Sequence, residues 1–416
     1  MIELGISRIS RLLQQTNLSW RAIHIAGTNG KGSITAYISA LLGSGGVRCG
    51  RFTSPHLIDR WDCITIDEKV VQEPLFRRIE EQVKLRDRTL GIGASEFELL
   101  TATAFEIFNH EKVEIGVVEV GLGGRLDATN ILKEVLVSVI SKIGFDHQSL
   151  LGNTIEEIAR EKAGILKPKV PCVVDGTNTP EVIRVLQNRA QEVGTDIGTV
   201  DSSTVGSISP ALSQIFGTLD LEPHQRANMT CAVAALKKAI PKIRPNLDVD
   251  NLLPLISTVQ WPGRLQRINI HPLIERKEDI LLDGAHNGQS AEVLSSYVER
   301  RLRPSGGNVT WVIAASRGKD LGELFHSLIK SGDNVATVRF GEVDGMPWVK
   351  SAKTSDLKAA IELIPGIGEV AHFKKDILGG LRWASQISSG RPLVVAGSLY
   401  LVSDVLRLLR ETTHEA

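Results

Sequence analysis

One lysine among glycines, Gly27-Thr28-Asn29-Gly30-Lys31-Gly32-Ser33, is the segment of this chain best suited to chemistry. Glycines let successive backbone N–H groups turn inward around an anion, a following helix N-terminus adds partial positive charge, and an ammonium group supplies a point charge for β- and γ-phosphates. An apolar run, 22–26, enters the loop, and a helical pattern with Ile34, Ile38, Leu41 and Leu42 on one face leaves it. Strand, glycine loop and helix in that order read as a nucleoside triphosphate site. The loop departs from the common G-x-x-x-x-G-K-[ST] form. Ile25 stands where the first glycine belongs, Gly32 follows the lysine, and the hydroxyl is displaced to Ser33. Metal ligands are therefore expected from elsewhere in the chain.

Further polar residues follow or end apolar strand patterns, which is the edge where open α/β sheets bind ligands. Ser54 offers a hydroxyl in the Pro-fixed loop Thr53-Ser54-Pro55-His56-Leu57. Glu119 interrupts a strand that otherwise reads as buried. A buried carboxylate is costly unless paired or on a metal, so Glu119 is a Mg²⁺ ligand candidate, with a structural arginine as the alternative partner. The glycines after it make no dinucleotide fingerprint, because the third Gly of G-x-G-x-x-G falls at Leu126. His147, in Gly144-Phe145-Asp146-His147, can ligate a metal through a neutral ring nitrogen. Lys162 sits near the end of a helix whose Ile155 and Ile158 face inward. On the residues alone it reads as an exposed lysine favoured by the helix C-terminus. Later in the chain, Ile280-Leu281-Leu282 runs into Asp283-Gly284-Ala285-His286-Asn287-Gly288. Asp283 suits ribose hydroxyls, His286 an anionic substrate, and Arg264 a phosphate.

These groups need a scaffold, and the hydrophobic pattern supplies one. Strand-like runs at 22–26, 63–66, 114–120, 135–141 and 170–174 alternate with helical patterns near 33–43, 73–87, 96–110, 154–164 and 179–193. Residues 201–221 read as an irregular edge excursion, followed by helices at 224–239 and 247–257. Trp261-Pro262-Gly263-Arg264 breaks the pattern and marks a linker. A second set follows, with strands near 265–270, 279–283, 309–314, 335–340 and 393–396 and helices near 288–302, 319–331, 355–363, 374–388 and 399–410. The expected fold is α/β: an N-terminal P-loop domain, 1–260, with a mostly parallel sheet, and a smaller Rossmann-like domain, 261–416. A cleft between two such domains is the expected site of a two-substrate reaction.

Lysine plus arginine and aspartate plus glutamate both number 48, so no basic footprint for nucleic acid or an acidic membrane appears. Cys49, Cys63, Cys172 and Cys231 are scattered without a C-x-x-C pair, which argues against zinc or a disulfide framework and for a reducing compartment. The cytoplasm is expected, with a mitochondrial location the alternative, and a monomer is expected. Residues 1–15 are amphipathic, with Ile2, Ile6, Ile9 and Leu13 on one stripe.

The motifs taken together resemble the folylpolyglutamate synthase and dihydrofolate synthase family, a branch of the Mur-ligase superfamily. They are GTNGKGS (27–33), TSPHL (53–57), SEFELLTATAF (95–105), VEVGLGGRLDATN (118–130), DH (146–147), EKAGI (161–165), HQRAN (224–228), WPGR (261–264), DGAHN (283–287) and GSLY (397–400). The opening of the chain, its compact length and the stretch after TSPHL are most similar to the fungal dihydrofolate synthases within that family. The resemblance implies an ATP-dependent ligase that joins L-glutamate to 7,8-dihydropteroate through an acyl phosphate. A folylpolyglutamate synthase or bifunctional enzyme is the alternative. A peptidoglycan-type Mur ligase and a non-enzymatic ATP-binding switch are remote ones. It implies ATP contacts from Gly27 to Ser33 and from Gln225, Asn228, Arg264 and Asp283. It implies Mg²⁺ ligands at Ser54, Glu119, His147 and a carbamylated Lys162, and catalytic roles for Lys31, Lys162 and His286. A pterin pocket is implied at Phe97, Asp127 and Ala128, a glutamate site at His286 and Ser398, and activation by a monovalent cation, K⁺. The chain departs from the family in Pro223 where Gly is usual, in Gly318 for the first Asp of D-K-D, and in Asp59-Arg60-Trp61-Asp62-Cys63 where many members carry an acid–Arg pair.

Overall fold

The computed structural model describes residues 4–259, 261–303 and 307–415. The chain divides into two compact units. The first comprises Met1–His56 and Trp61–Val259, the second Leu57–Arg60 and Gln260–Ala416.

The first unit is built on eight strands: β1 (Arg21–Ala26), β2 (Cys49–Phe52), β3 (Ile64–Ile66), β4 (Lys69–Val70), β5 (Ile115–Glu119), β6 (Val135–Ile140), β7 (Cys172–Asp175) and β8 (Ile197–Val200). Their spatial order is β4-β3-β2-β5-β1-β6-β7-β8, parallel except where β3 meets β2 and β4. β1 lies between β5 and β6, with Ile25 opposite Glu119 and Ala26 opposite Ile140. From β1 the chain crosses to β2 on one side, and it later enters β6 on the other. β1 is thus the topological switch point, and in open α/β sheets ligands bind at the C-terminal end of the strands there.

Alternation along β1 sorts its side chains. Ile23 and Ile25 join Val117, Val137 and Val139 under the helices Lys31–Ser44 and Pro223–Ala239. Ala22 and Ala26 face the opposite side, toward the helices Glu96–His110 and Ile155–Ala163. Each fully buried Val or Ile contributes about 1.5–3 kcal/mol by leaving water. Of the N-terminal stripe, Ile9 and Leu13 are buried in this core, together with Leu12 of the helix Ser7–Leu12, while Ile6 is exposed and Ile2 lies outside the described residues.

The second unit has β9 (Gln266–Ile268), β10 (Ile280–Leu282), β11 (Thr310–Ile313), β12 (Asn334–Val338), β13 (Val370–Lys374) and β14 (Leu393–Ala396), in the order β13-β12-β11-β14-β10-β9. All pairings are parallel except that of β9 with β10. Leu57–Arg60 counts with this unit, where Arg410 pairs with Asp59 and Arg407 Nη2 donates to Ile58 O at 2.9 Å.

Two local expectations are corrected, and one strand was not foreseen. Residues 201–221 are not irregular: they hold the helices Val205–Ile208 and Pro210–Thr218, the second capped by Ser209 Oγ accepting from Leu212 N at 3.0 Å. A serine that composition reads as loop is here an N-cap. The stretch 247–257 is a 3-10 helix, Val249–Thr258, with Pro254 inside it, because proline lacks the N–H an α-ladder needs. β13 escapes the pattern because it is a half-exposed edge with no apolar alternation. The four cysteines are free and buried, and among the described residues no helix is long and apolar enough to cross a membrane.

Candidate active site

The phosphate loop is held by its own backbone shape and by the segment after β6. Gly27 has φ 151° and Gly30 φ 91°. A Cβ at Gly27 would lie 1.8 Å from Ser141 Oγ, and one at Gly30 would lie 2.3 Å from Asn228 Oδ1, so both positions require glycine. Thr28 N and Asn29 N donate to Lys142 O at 2.8 and 3.0 Å. Thr28 Oγ1 donates to Gly144 O and accepts from Gly144 N, both at 3.0 Å. The neighbouring segment is fixed in turn by Asn178, which accepts from Ile143 N at 2.7 Å and donates to Ser141 O at 3.2 Å and Asp175 O at 2.8 Å. The helix begins at Lys31 with Gly32 and Ser33 in its first turn, and that turn holds no acidic residue. Its N-terminal charge is left for a ligand.

Lys31 Nζ lies 3.7 Å from Glu119 Oε1 and donates to Thr28 O at 3.2 Å. Glu119 is the last residue of β5 and is buried, as its place in an apolar run demands. The loop lysine is a cationic neighbour of this carboxylate. The reading of Lys162 as an exposed helix-end lysine is wrong. Its side chain is buried and turns in to donate from Nζ to Gly27 O at 2.7 Å. Burial, with the charge of Lys31 second, lowers its pKa to about 7 against the opposing pull of Asp146 and Asp127. Ser54 is half-buried just beyond β2, the neighbour of β5. His147 is exposed with φ 52° and caps the short helix Gln148–Leu151, its backbone N donating to Asp146 Oδ1 at 2.8 Å. Among the described residues no group of three or more His, Cys, Asp or Glu assembles.

Asn228 is buried beside Gly30 on the helix Pro223–Ala239. Gln225, three residues earlier, uses its Oε1 to accept from Glu222 N at 2.9 Å at the start of that helix.

Phe97, Asp127 and Ala128, for which the resemblance implies a pterin pocket, lie on the other face of the sheet. The Phe97 ring stacks on Phe52 with centroids 6.2 Å apart, and a Cβ on Gly121 would sit 2.3 Å from Phe97 Cζ. Asp127 is buried beside Ala128, with both oxygens engaged. Oδ2 accepts from Leu122 N at 2.8 Å; Oδ1 accepts from Thr129 N at 3.0 Å and Thr129 Oγ1 at 2.5 Å. Burial pushes its carboxyl pKa up while these bonds pull it down.

In the second unit Asp283 follows β10 and clamps two turns. Its Oδ1 accepts from Ala285 N at 2.8 Å and its Oδ2 from Leu265 N at 2.7 Å. Burial raises its pKa, and the charge of Arg264 opposes this. The Arg264 guanidinium lies over Gly284, where a Cβ would be 2.8 Å from Nη1. His286 is half-buried, with Nδ1 3.0 Å from Gly284 O. If that nitrogen carries the proton, Nε2 is the acceptor. Ser398 follows β14, the parallel neighbour of β10, and its buried Oγ accepts from Tyr400 N at 3.2 Å.

The structure thus groups Gly27–Lys31, Glu119, Lys162 and Asn228 within one unit, and Arg264, Asp283 and His286 within the other. Sequence reasoning missed Ser141, Asn178, Thr129 and His24. The first two act on backbone groups, for which residue type gives no signal. His24 Nε2 bonds Thr129 Oγ1 at 2.8 Å from within an apolar strand. A polar residue in that run was the one available clue.

Comparison with known proteins agrees with this geometry. A family model described as dihydrofolate synthetase, C-terminal domain, matches residues 266–408. The chain is 37% identical to the probable dihydrofolate synthetase of Schizosaccharomyces pombe, over 98% of this chain and 99% of that one. It is also 37% identical to the dihydrofolate synthetase of Saccharomyces cerevisiae, over 98% of each. Its fold matches Mycobacterium tuberculosis folylpolyglutamate synthase complexed with ADP and AMPPCP, with a TM-score of 0.80 and 26% identity over 97% of this chain and 95% of that one. With matches that run nearly end to end, the chain belongs to the dihydrofolate synthetase and folylpolyglutamate synthase family of Mur-ligase-like enzymes.

Proposed function

We propose that this chain is a dihydrofolate synthase: an ATP-dependent ligase that joins the amine of L-glutamate to the carboxylate of 7,8-dihydropteroate, giving dihydrofolate, ADP and phosphate. The observation that carries the reading is the convergence of Lys31, Glu119 and Lys162 on the phosphate loop, in a chain whose full-length relatives are dihydrofolate synthetases.

A carboxylate is a poor acylating agent. In the first step a carboxylate oxygen of the pteroate attacks the γ-phosphorus of ATP, and the bond to the ADP oxygen breaks. The acyl phosphate then meets the glutamate amine, which bonds to the acyl carbon and loses a proton as phosphate departs. Phosphoryl transfer spreads negative charge over oxygens, and the Lys31 ammonium and the loop N–H groups are preorganised to stabilise it. His286 and Ser398 hold glutamate, and Arg264, Asp283, Gln225 and Asn228 hold the nucleotide. Phe97, Asp127 and Ala128 form the pterin side.

Ser54, Glu119 and an oxygen on Lys162 would supply the hard oxygen donors that Mg²⁺ prefers, and His147 would add a borderline imidazole nitrogen. When bound, the ion neutralises charge on the phosphoryl oxygens. Lys162 gains its oxygen by carbamylation: the neutral amine attacks CO₂, forms an N–C bond and releases one proton. An amine with a pKa of about 7 is half-neutral at physiological pH and so competent for this addition. Incubation with ¹³C-bicarbonate should give a carbamate carbon resonance that vanishes in Lys162→Gln; its absence from the wild type would remove the carbamate. K⁺ activation belongs to the same reading and is checked by replacing K⁺ with Na⁺ in the assay.

The test is a substrate-resolved assay with ATP, Mg²⁺ and glutamate. ADP release with dihydropteroate and not with tetrahydrofolate is expected. Turnover of tetrahydrofolate alone would assign the chain to folate-tail extension, and turnover of both would make it bifunctional.

A further inference from the structure

His24 is a fully buried polar residue in the central strand, and the chemistry above leaves it without a task. Strand alternation places it on the same face as Ala22 and Ala26, the face toward the pterin-side helices. Its Nε2 lies 2.8 Å from Thr129 Oγ1, whose hydroxyl donates to Asp127 Oδ1 at 2.5 Å. Asp127 Oδ2 accepts from Leu122 N at 2.8 Å, three residues beyond Glu119. A hydroxyl has one proton, and Thr129 has given it to Asp127. Its other bond must therefore accept, and His24 Nε2–H must donate. This fixes the neutral Nε2–H tautomer. It also explains why Nδ1, then a bare lone pair, is tolerated without a hydrogen-bond partner. Burial and the nearby Lys167 lower the His24 pKa to about 3, so the donor role persists at any working pH.

The bonds converge on the carboxylate, from His24 through the Thr129 hydroxyl on one side and from Leu122 N–H of the loop that packs on Phe97 on the other. With Thr129 oriented by His24, Oδ1 receives the hydroxyl and the Thr129 N–H, and Oδ2 is left to face Leu122 N. Without the histidine the hydroxyl is free to rotate away, and the carboxylate loses its shortest bond. The loop 121–127 would then lose its register against the Phe97 ring, which packs on Gly121.

We infer that His24 and Thr129 are positioning residues for the pterin side of the site, acting through Asp127 on the loop 121–127. The inference rests on the reading of Phe97, Asp127 and Ala128 as the pterin pocket.

The test compares Thr129→Val and His24→Leu, which break the chain of bonds, with Thr129→Ser and His24→Gln, which keep a hydroxyl and an amide N–H donor. KM for dihydropteroate, KM for ATP and kcat are measured with the full-length chain. The breaking variants are expected to raise KM for dihydropteroate about tenfold or more, with KM for ATP and kcat within about twofold, and the conservative variants to stay near wild type. A loss shared equally by both substrates, or an unchanged dihydropteroate KM in folded Thr129→Val, overturns the inference. Phe97→Ala separates the two levels. If it raises the dihydropteroate KM while Thr129→Val does not, the positioning role fails and the pocket stands. If it leaves that KM unchanged, the pocket reading and the inference fall together. Should His24→Leu not fold, the Thr129 pair decides.

Discussion

Lys31 stands 3.7 Å from Glu119 and leans on its own loop through Thr28 O, so its ammonium is already in place where phosphate charge would develop. Replacing it with alanine should lower kcat by about 100- to 1000-fold, the usual loss when one preorganised donor is removed from a transition state. Steady-state ADP release would show this, and retained full activity would contradict the phosphate role. His24 gives a pH prediction. Its pKa falls from 6.5 to about 3 on folding, so between those values the unfolded chain binds a proton that the native chain does not. The stability tied to neutral His24 is complete above pH 6.5. It is lost as pH falls toward 3, by up to about 1.4 kcal/mol per pH unit. Urea unfolding of His24→Gln should show a shallower fall over that window, and identical slopes would count against the neutral buried histidine. At this scale the sequence was a good guide to chemistry and a poor one to environment. Glu119 announces its burial because apolar residues flank it. Lys162 does not, because position at a helix end predicts exposure and only tertiary packing turns its side chain inward.

The elements succeed where apolar runs are unbroken. β1, β5, β6 and β14 were legible because all or nearly all of their residues are buried. β4, β13 and the 3-10 helix around Pro254 were not, since exposed edges carry no alternation and a proline in a periodic stretch hides the change of ladder. The junction of β6 and β7 with the phosphate loop was equally hidden, because it is made of backbone bonds organised by Asn178. Asn178→Ala takes the side-chain partner from Ile143 N and Ser141 O, while Asp175 O keeps the backbone N–H of residue 178 at 3.2 Å. A destabilisation of about 1–3 kcal/mol is expected for each buried group left unsatisfied. With it should come a weaker hold on nucleotide, read by urea unfolding and by ADP titration in parallel. Unchanged ADP affinity in the variant would separate this junction from the phosphate loop.

The molecule as a whole consists of two α/β units, and the order of their motifs was legible from end to end. The place of Leu57–Arg60 was not. The chain visits the second unit for four residues just after Ser54, and Asp59 there meets Arg410, more than 300 positions later. No local pattern encodes such a visit. The second unit carries Arg264, Asp283, His286 and Ser398; residue chemistry suggested phosphate, ribose and anion roles for the first three, and only the resemblance gave Ser398 a role and placed glutamate at His286. His286→Ala should therefore divide binding from turnover: ADP affinity is kept while ligation falls by about 100-fold, as expected when one substrate is misplaced. Equal loss of both would assign His286 to the nucleotide instead. The central claim, that ATP activates the pteroate carboxylate as an acyl phosphate, has a direct test in dihydropteroate labelled with ¹⁸O in its carboxylate. The account predicts one labelled oxygen in the inorganic phosphate released per dihydrofolate formed. Phosphate free of label, with dihydrofolate still produced, would contradict it.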